Sequence, residues 1–268
     1  MSAINYAISK IKSIGIPMQV LNLAFLKKPN IFGISTSIDS QIRDLVIEPI
    51  VLRDLNVVGG KQMSIDINSC YVDFYQNTFN TQNLVIKVPY QVTGNRKILE
   101  AVNLLLINDM KRFNMTSDAL TFGISKKMDF NNSTYNAGTP ITNLELIGPN
   151  TILVYDNVVN LGQAYLNVII EYDKNGSDIK RRYWLDFYNL CLLATKAFIF
   201  NKLIVDMNAG MIYNGHELGK VTETIESYAD AADQYEELLE TKWRKITFIS
   251  DKNQMSAFVK GMIPGSAY

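Results

Sequence analysis

Residues 178–206 read DIKRRYWLDFYNLCLLATKAFIFNKLIVD, a long run without glycine or proline. Nothing in it stops a helix, and Trp184, Phe187, Leu192, Phe198 and Phe200 fall on every side of the helical wheel. A helix apolar all round is buried, so this stretch predicts a central helix in contact with more than one layer. Either a sheet covers one side and the terminal helices the other, or a neighbouring subunit does. Its most apolar part, Leu190 to Met207, is broken by Lys196, Asn201, Lys202 and Asp206. Burying such charges near a bilayer centre costs about 2.5–3.5 kcal/mol each, so a protein core is expected around it and no membrane partner.

Upstream the pattern differs. Ser2 stands as an N-cap before Ile4, Ala7, Ile8 and Ile11, and Pro17 opens a second helical pattern with Val20, Leu21, Ala24 and Phe25. A third short helix is expected over Ser37–Val46, ended by Pro49. From there strands are expected: Ile50–Val58, Met63–Ile67, Tyr71–Tyr75, Leu84–Val88, Ala119–Ile124, Leu144–Ile147, Thr151–Tyr155 and Tyr165–Tyr172. Ile98–Ile107, apolar on both faces except for Glu100 and Asn103, fits a buried strand or a helix by periodicity, with the strand preferred. Gly59-Gly60 offers a turn, and Asp129–Pro140 reads as an exposed loop. The expected fold class is α+β, with a central, mostly antiparallel sheet or sandwich, short N-terminal helices and two long C-terminal helices. One domain is expected over 1–249, helical over 1–48, β-rich over 49–173 and helical over 178–246. Residues 250–268 are expected to form an extended arm.

Composition narrows the function. With 268 residues, 47% apolar and 10% aromatic, the chain can bury a substantial core. Its 26 basic and 26 acidic residues cancel, which removes the broad positive field that polyanion binding exploits. Cys70 and Cys191 sit among apolar neighbours and read as unpaired core thiols. No secretory signal is read at the N-terminus, so synthesis in the cytoplasm is expected.

Catalytic chemistry finds little support. The single histidine, His216, follows Asn214-Gly215 in a turn, which leaves no zinc set and no triad. Val58-Gly59-Gly60-Lys61 lacks the spacing of a phosphate loop. Glu236 and Glu237 are helix neighbours that point apart and cannot share a proton. The expectation is a non-enzyme with no catalytic residue, no metal and no cofactor.

Interaction signals are stronger. In an expected helix over 221–243, Val221, Ile225, Tyr228, Ala232, Tyr235 and Leu239 recur at steps of four and three, a coiled-coil-like seam. Glu226, Asp230, Asp233 and Glu237 belong to an acidic face with no Lys or Arg between Thr222 and Glu240. The first helices carry only Lys10, Lys12, Lys27 and Lys28 as charges. Such separation of sign suggests one subunit's acidic helix against the next one's basic end. Arg96 and Lys97 beside a turn are candidates for contact with an anion.

Ala3–Ile8 (AINYAI) and Ile16–Phe25 (IPMQVLNLAF) resemble the opening of virion structural proteins of large contractile-tailed bacteriophages. Val51–Gly60, read as a strand with a Gly-Gly turn, and Val88-Pro89-Tyr90 with Thr93–Arg96 extend the resemblance. It implies a structural virion subunit of the neck or head-to-tail connector, made in the host cytoplasm and found in the virion. Its partners would be itself, in an oligomeric ring, and portal, neck or tail proteins, with DNA passing through the lumen. A tail or baseplate protein is the second expectation. The third is a nucleic-acid-binding protein using Arg96, Lys97, Lys111, Arg112, Lys126, Lys127, Arg181 and Arg182.

Overall fold

A computed structural model describes residues 2–25, 37–76, 82–107, 139–155, 163–208 and 219–250. The fold is α+β, and the chain divides into two compact units, one from residues 1–60 and 172–268, the other from 61–171. The single domain expected over 1–249 thus comprises parts of two units. The strand expected over 119–124, most of the loop over 129–140 and the arm beyond Ser250 lie outside the described residues.

The first unit is helical. Helix α1 (Ala3–Lys10) starts where the Ser2 side chain accepts a hydrogen bond from the Asn5 amide at 3.2 Å, as the capping residue suggested. A wide π-type turn over Ile11–Gly15 leads to α2 (Met18–Phe25). Ser37 likewise caps α3 (Ile38–Ile42).

The chain then departs from the expected pattern, because Pro49 does not end the helix and Ile50–Val58 is not a strand. A π-helical segment, Arg43–Leu52, continues into α4 (Arg53–Val58). In an α-helix a proline ring collides with the carbonyl four residues back, and the wider π turn moves that carbonyl aside. Buried Ile42, Val46, Ile47, Val51, Leu52 and Leu55 lie at helical spacing, so packing of this stripe overrides the β preference of its branched residues. The boundary between helical and β-rich parts accordingly falls at Gly60 instead of 48.

Helix α5 (Trp184–Asn208), entered through a 3-10 turn at Arg181–Tyr183, is the centre of this unit. It packs against α1, α2, the π-helical segment and the C-terminal helices, so several layers of the same unit cover it. By length and composition Arg181–Ile204 is apolar enough to cross a membrane, yet Phe187, Leu190, Cys191, Ala194, Ile199 and Leu203 pack into the helical core. The last helical region is a series: α6 (Gly219–Glu226), a turn, α7 (Ala231–Leu238), a π turn at Leu239–Trp243 and α8 (Arg244–Ser250).

The second unit holds two antiparallel sheets. Strands β1 (Lys61–Asp66), β2 (Tyr71–Gln76), β3 (Gln82–Lys87), β4 (Ile98–Ile107), β5 (Thr139–Ile141), β6 (Leu144–Gly148), β7 (Thr151–Val154) and β8 (Gln163–Ile170) form the orders β1-β8-β4-β5 and β2-β3-β7-β6. Ile98–Ile107, apolar on both faces, is thus a strand, with two register shifts against β8 at Ile98/Glu100 and Ala101/Asn103. Both sheets contribute to one core, with Leu166, Val168 and Ile170 from the first and Leu84, Ile86, Ile152 and Val154 from the second.

Candidate functional site

The expected interface seam is used inside the chain. Ile225, Tyr228 and Tyr235 are buried in the helical core, and Val221 and Leu239 pack against it. Tyr235 also donates a hydrogen bond to Asp54 at 2.9 Å. These five residues are therefore committed to their own unit. Between Tyr228 and Tyr235, which both keep their expected places, the buried residue is Ala231 where Ala232 was expected, and Ala232 is exposed. The acidic residues of the same segment do face outward: Glu226, Asp230, Asp233 and Glu237, with Glu223, Glu236 and Glu240, are all exposed. None has an ion-pair partner among the described residues.

The basic end is different from the expectation. Lys27 and Lys28 lie outside the described residues. Lys12 is bound to Asp39 at 2.8 Å, on the wall of an open cleft of about 380 Å³. Lys10 sits 4.5 Å from the Tyr188 ring centre and 5.7 Å from that of Tyr6. Arg96 is not placed to take up an anion either: its Nε donates to the Thr93 carbonyl at 3.0 Å and Nη1 to the Glu171 carbonyl at 3.4 Å. It ties the turn before β4 to the end of β8, while Lys97 beside it is exposed.

A cationic corner stands instead at the entrance to α5. Lys180, Arg181 and Arg182 are all exposed, and none forms an ion pair among the described residues. Arg181 lies 5.4 Å from the Trp184 ring centre, Arg182 lies 4.5 Å from that of Tyr183, and Trp184 meets Tyr6 at 5.5 Å. Lys10, Tyr6, Trp184 and Arg181 thus make a continuous row of cation, ring, ring and cation. Cations beside a helix N-terminus oppose the helix dipole by about 0.3–1 kcal/mol each, so this placement weakens the isolated chain. The sequence signal is Lys-Arg-Arg-Tyr-Trp before an apolar helix; in the sequence alone Arg181 and Arg182 are one of several scattered basic pairs, and only the fold sets them over Trp184 and Tyr183.

The sandwich exposes a second surface. On edge strand β2, Tyr71 is 68%, Phe74 58% and Tyr75 61% exposed, and Ile147 and Tyr155 are 52% and 41% exposed. Tyr71, Asp73 and Tyr75 share a face with Lys87, Val85 and Asn83 by strand register. Tyr155 donates a short hydrogen bond to Glu145 on the neighbouring strand.

Nucleophile chemistry is disfavoured at the cysteines. Both are free; burial pushes the Cys191 thiol far up, and burial followed by the charge of Asp66 pushes Cys70 up to about 11. Thiols held neutral are poor nucleophiles. Among the described residues no three His, Cys, Asp or Glu side chains converge to hold a metal, and His216 lies outside those residues.

Residues 1–265 match the model of a family of unknown function, DUF7484, and the chain belongs to that family. No curated protein and no solved structure matches it.

Proposed function

We propose that this member of DUF7484 is a structural subunit of a larger protein assembly, acting without catalysis. The assembly we favour is the neck or head-to-tail connector of a tailed-bacteriophage particle, where the chain forms an oligomeric ring beside portal or tail proteins. The carrying observation is the tyrosine-rich edge of the sandwich, where Tyr71, Phe74 and Tyr75 stand largely in solvent beside a core that buries Leu84, Ile86, Ile152 and Val154. Aromatic residues are enriched at protein interfaces, and β2, which has no partner on its outer edge among the described residues, offers backbone groups to a neighbour. The virion setting rests on the resemblance of Ala3–Ile8 and Ile16–Phe25. Of the segments that carried this resemblance, Val51–Gly60 no longer counts as a strand, since it is helical up to Val58.

Two measurements test this reading. Light scattering on the purified chain, alone and mixed with particle fractions, should give a mass above that of a monomer; a strict monomer in both would overturn it. Tyr71→Ser with Tyr75→Ser should lower incorporation of a tagged copy into particles while leaving the circular dichroism spectrum unchanged. Incorporation equal to that of the unmodified chain would remove the edge strand from the contact, and imaging the tag separates a neck from a tail or baseplate position.

A further inference from the structure

We infer that the corner formed by Lys180, Arg181 and Arg182 over Tyr6, Tyr183 and Trp184 is the docking surface for the acidic helical face 223–240 of a second copy of this chain. The inference deepens the assembly reading and rests on it. It shifts the contact from the basic end first expected, because Lys12 already holds Asp39 and Lys27 and Lys28 lie outside the described residues, while Lys10 over Tyr6 adjoins the corner.

Three observations carry it. The corner is charged and pre-ordered: Arg181 and Arg182 lie over aromatic rings in the absence of any carboxylate partner among the described residues. Side chains held in this way lose less freedom on binding than free ones. The cations also stand at the end of α5 where the helix dipole repels them, a local conflict that an incoming carboxylate relieves.

The second surface has the opposite sign. Glu223, Glu226, Asp230, Asp233, Glu236, Glu237 and Glu240 repel one another, and no Lys or Arg lies between Thr222 and Glu240 to offset them. Within one copy this segment runs along α5 from Tyr228, which meets Lys196 at 5.1 Å, to Trp243, which packs on Phe187. No ion pair joins it to the corner among the described residues.

The choice between a second copy and a nucleic acid follows from charge. Residues 173–186 carry Lys174, Lys180, Arg181 and Arg182 against Asp173, Asp178 and Asp186, and the chain as a whole is neutral. A polyanion would gain little long-range attraction from so narrow an excess, and the seven carboxylates of the same unit would repel it. A contact between two different surfaces of identical chains is head-to-tail, and it repeats until a ring closes or a filament grows.

Charge reversal tests the contact on the full chain. Arg181→Glu with Arg182→Glu, and separately Glu236→Lys with Glu237→Lys, should each weaken self-association by about tenfold or more. An equimolar mixture of the two variants should restore the large species, because each then offers the sign that the other lacks. Combining all four changes in one chain should restore it as well, which a merely misfolded variant would not do. If both variants keep the mass of the unmodified chain, this contact is wrong while the assembly reading survives. If the unmodified chain is itself a strict monomer, both fail. If a short single-stranded oligonucleotide binds at low salt and Arg181→Glu with Arg182→Glu abolishes that binding with mass unaffected, the corner is a nucleic-acid site and the inference is overturned.

Discussion

Asn150 occupies a left-handed backbone position at φ 51 and is buried. Its side-chain oxygen accepts from the Ile98 amide at 2.9 Å, its amide nitrogen donates to the Arg96 carbonyl at 3.3 Å, and its own carbonyl accepts from Val88 at 2.8 Å. One residue thereby joins the turn after β6 to the starts of β4 and the loop after β3. Replacing it with alanine strains the backbone by about 1–2 kcal/mol and leaves buried groups unpaired at about 1–3 kcal/mol. We expect Asn150→Ala to lower stability by about 2–4 kcal/mol in urea unfolding and Asn150→Gly to lose less, since glycine relieves the backbone part. Equal losses would show that conformation contributes nothing there. An asparagine after Gly-Pro is readable as a turn residue, but its three partners are distant in sequence, and only the folded sheet brings them to it. The lysines teach the same point: their charge is legible in the chain, whereas the commitment of Lys12 to Asp39 depends on the fold bringing the π turn after α1 to α3.

Among the elements, the run Ile38–Val58 separates propensity from packing. Ile50, Val51, Val57 and Val58 favour a strand locally, and Pro49 favours a break. The buried stripe from Ile42 to Leu55 instead docks on α5, and a π-helical segment absorbs the proline. The end of this run is set by close contact: a β-carbon on Gly59 would lie 2.3 Å from the Thr247 methyl, while its backbone is extended and asks for no glycine. Gly59→Ala should therefore destabilise the helical unit by about 1–3 kcal/mol through overpacking. Thr247→Ser removes the offending methyl and should recover most of the loss in the double variant, measured by thermal denaturation; additive losses would refute the steric cause. Most described strands were readable, because alternation and β-branched residues agree with their burial in a sandwich; β5 (Thr139–Ile141) instead begins within the expected loop over 129–140, where pairing with β4 overrides the turn-rich composition, and Ile98–Ile107 lacks the alternation that would separate strand from helix.

For the whole molecule, the two units differ in their buried ionisable groups. Burial pushes Tyr172 up to about 12, with its Thr247 hydrogen bond acting the other way, and raises Tyr235 through burial and then Asp54. Cys191 is raised by burial as well. All three belong to the helical unit, whereas in the other unit Cys70, only half-buried, is raised to about 11. These groups stay neutral in the folded chain at pH values where the unfolded chain ionises, so their contribution is complete below about pH 9 to 10 and falls as pH rises toward 12. The loss amounts to as much as about 1.4 kcal/mol per pH unit for each group. Far-ultraviolet circular dichroism during alkaline titration should show helical signal disappearing before sheet signal; simultaneous loss would contradict this assignment. The sequence by itself determined the fold class, the central helix, the strand-rich middle and the acidic character of the 223–240 surface, because periodicity, branching and charge are local properties. Only the tertiary structure decided that the seam from Val221 to Leu239 is spent on α5, that Ile50–Val58 is helical, and that Lys180, Arg181 and Arg182 gather over aromatic rings at the entrance to α5 with no ion pair among the described residues. Each of those outcomes depends on which distant residues compete for the same buried surface or the same charge, and that competition is settled by packing.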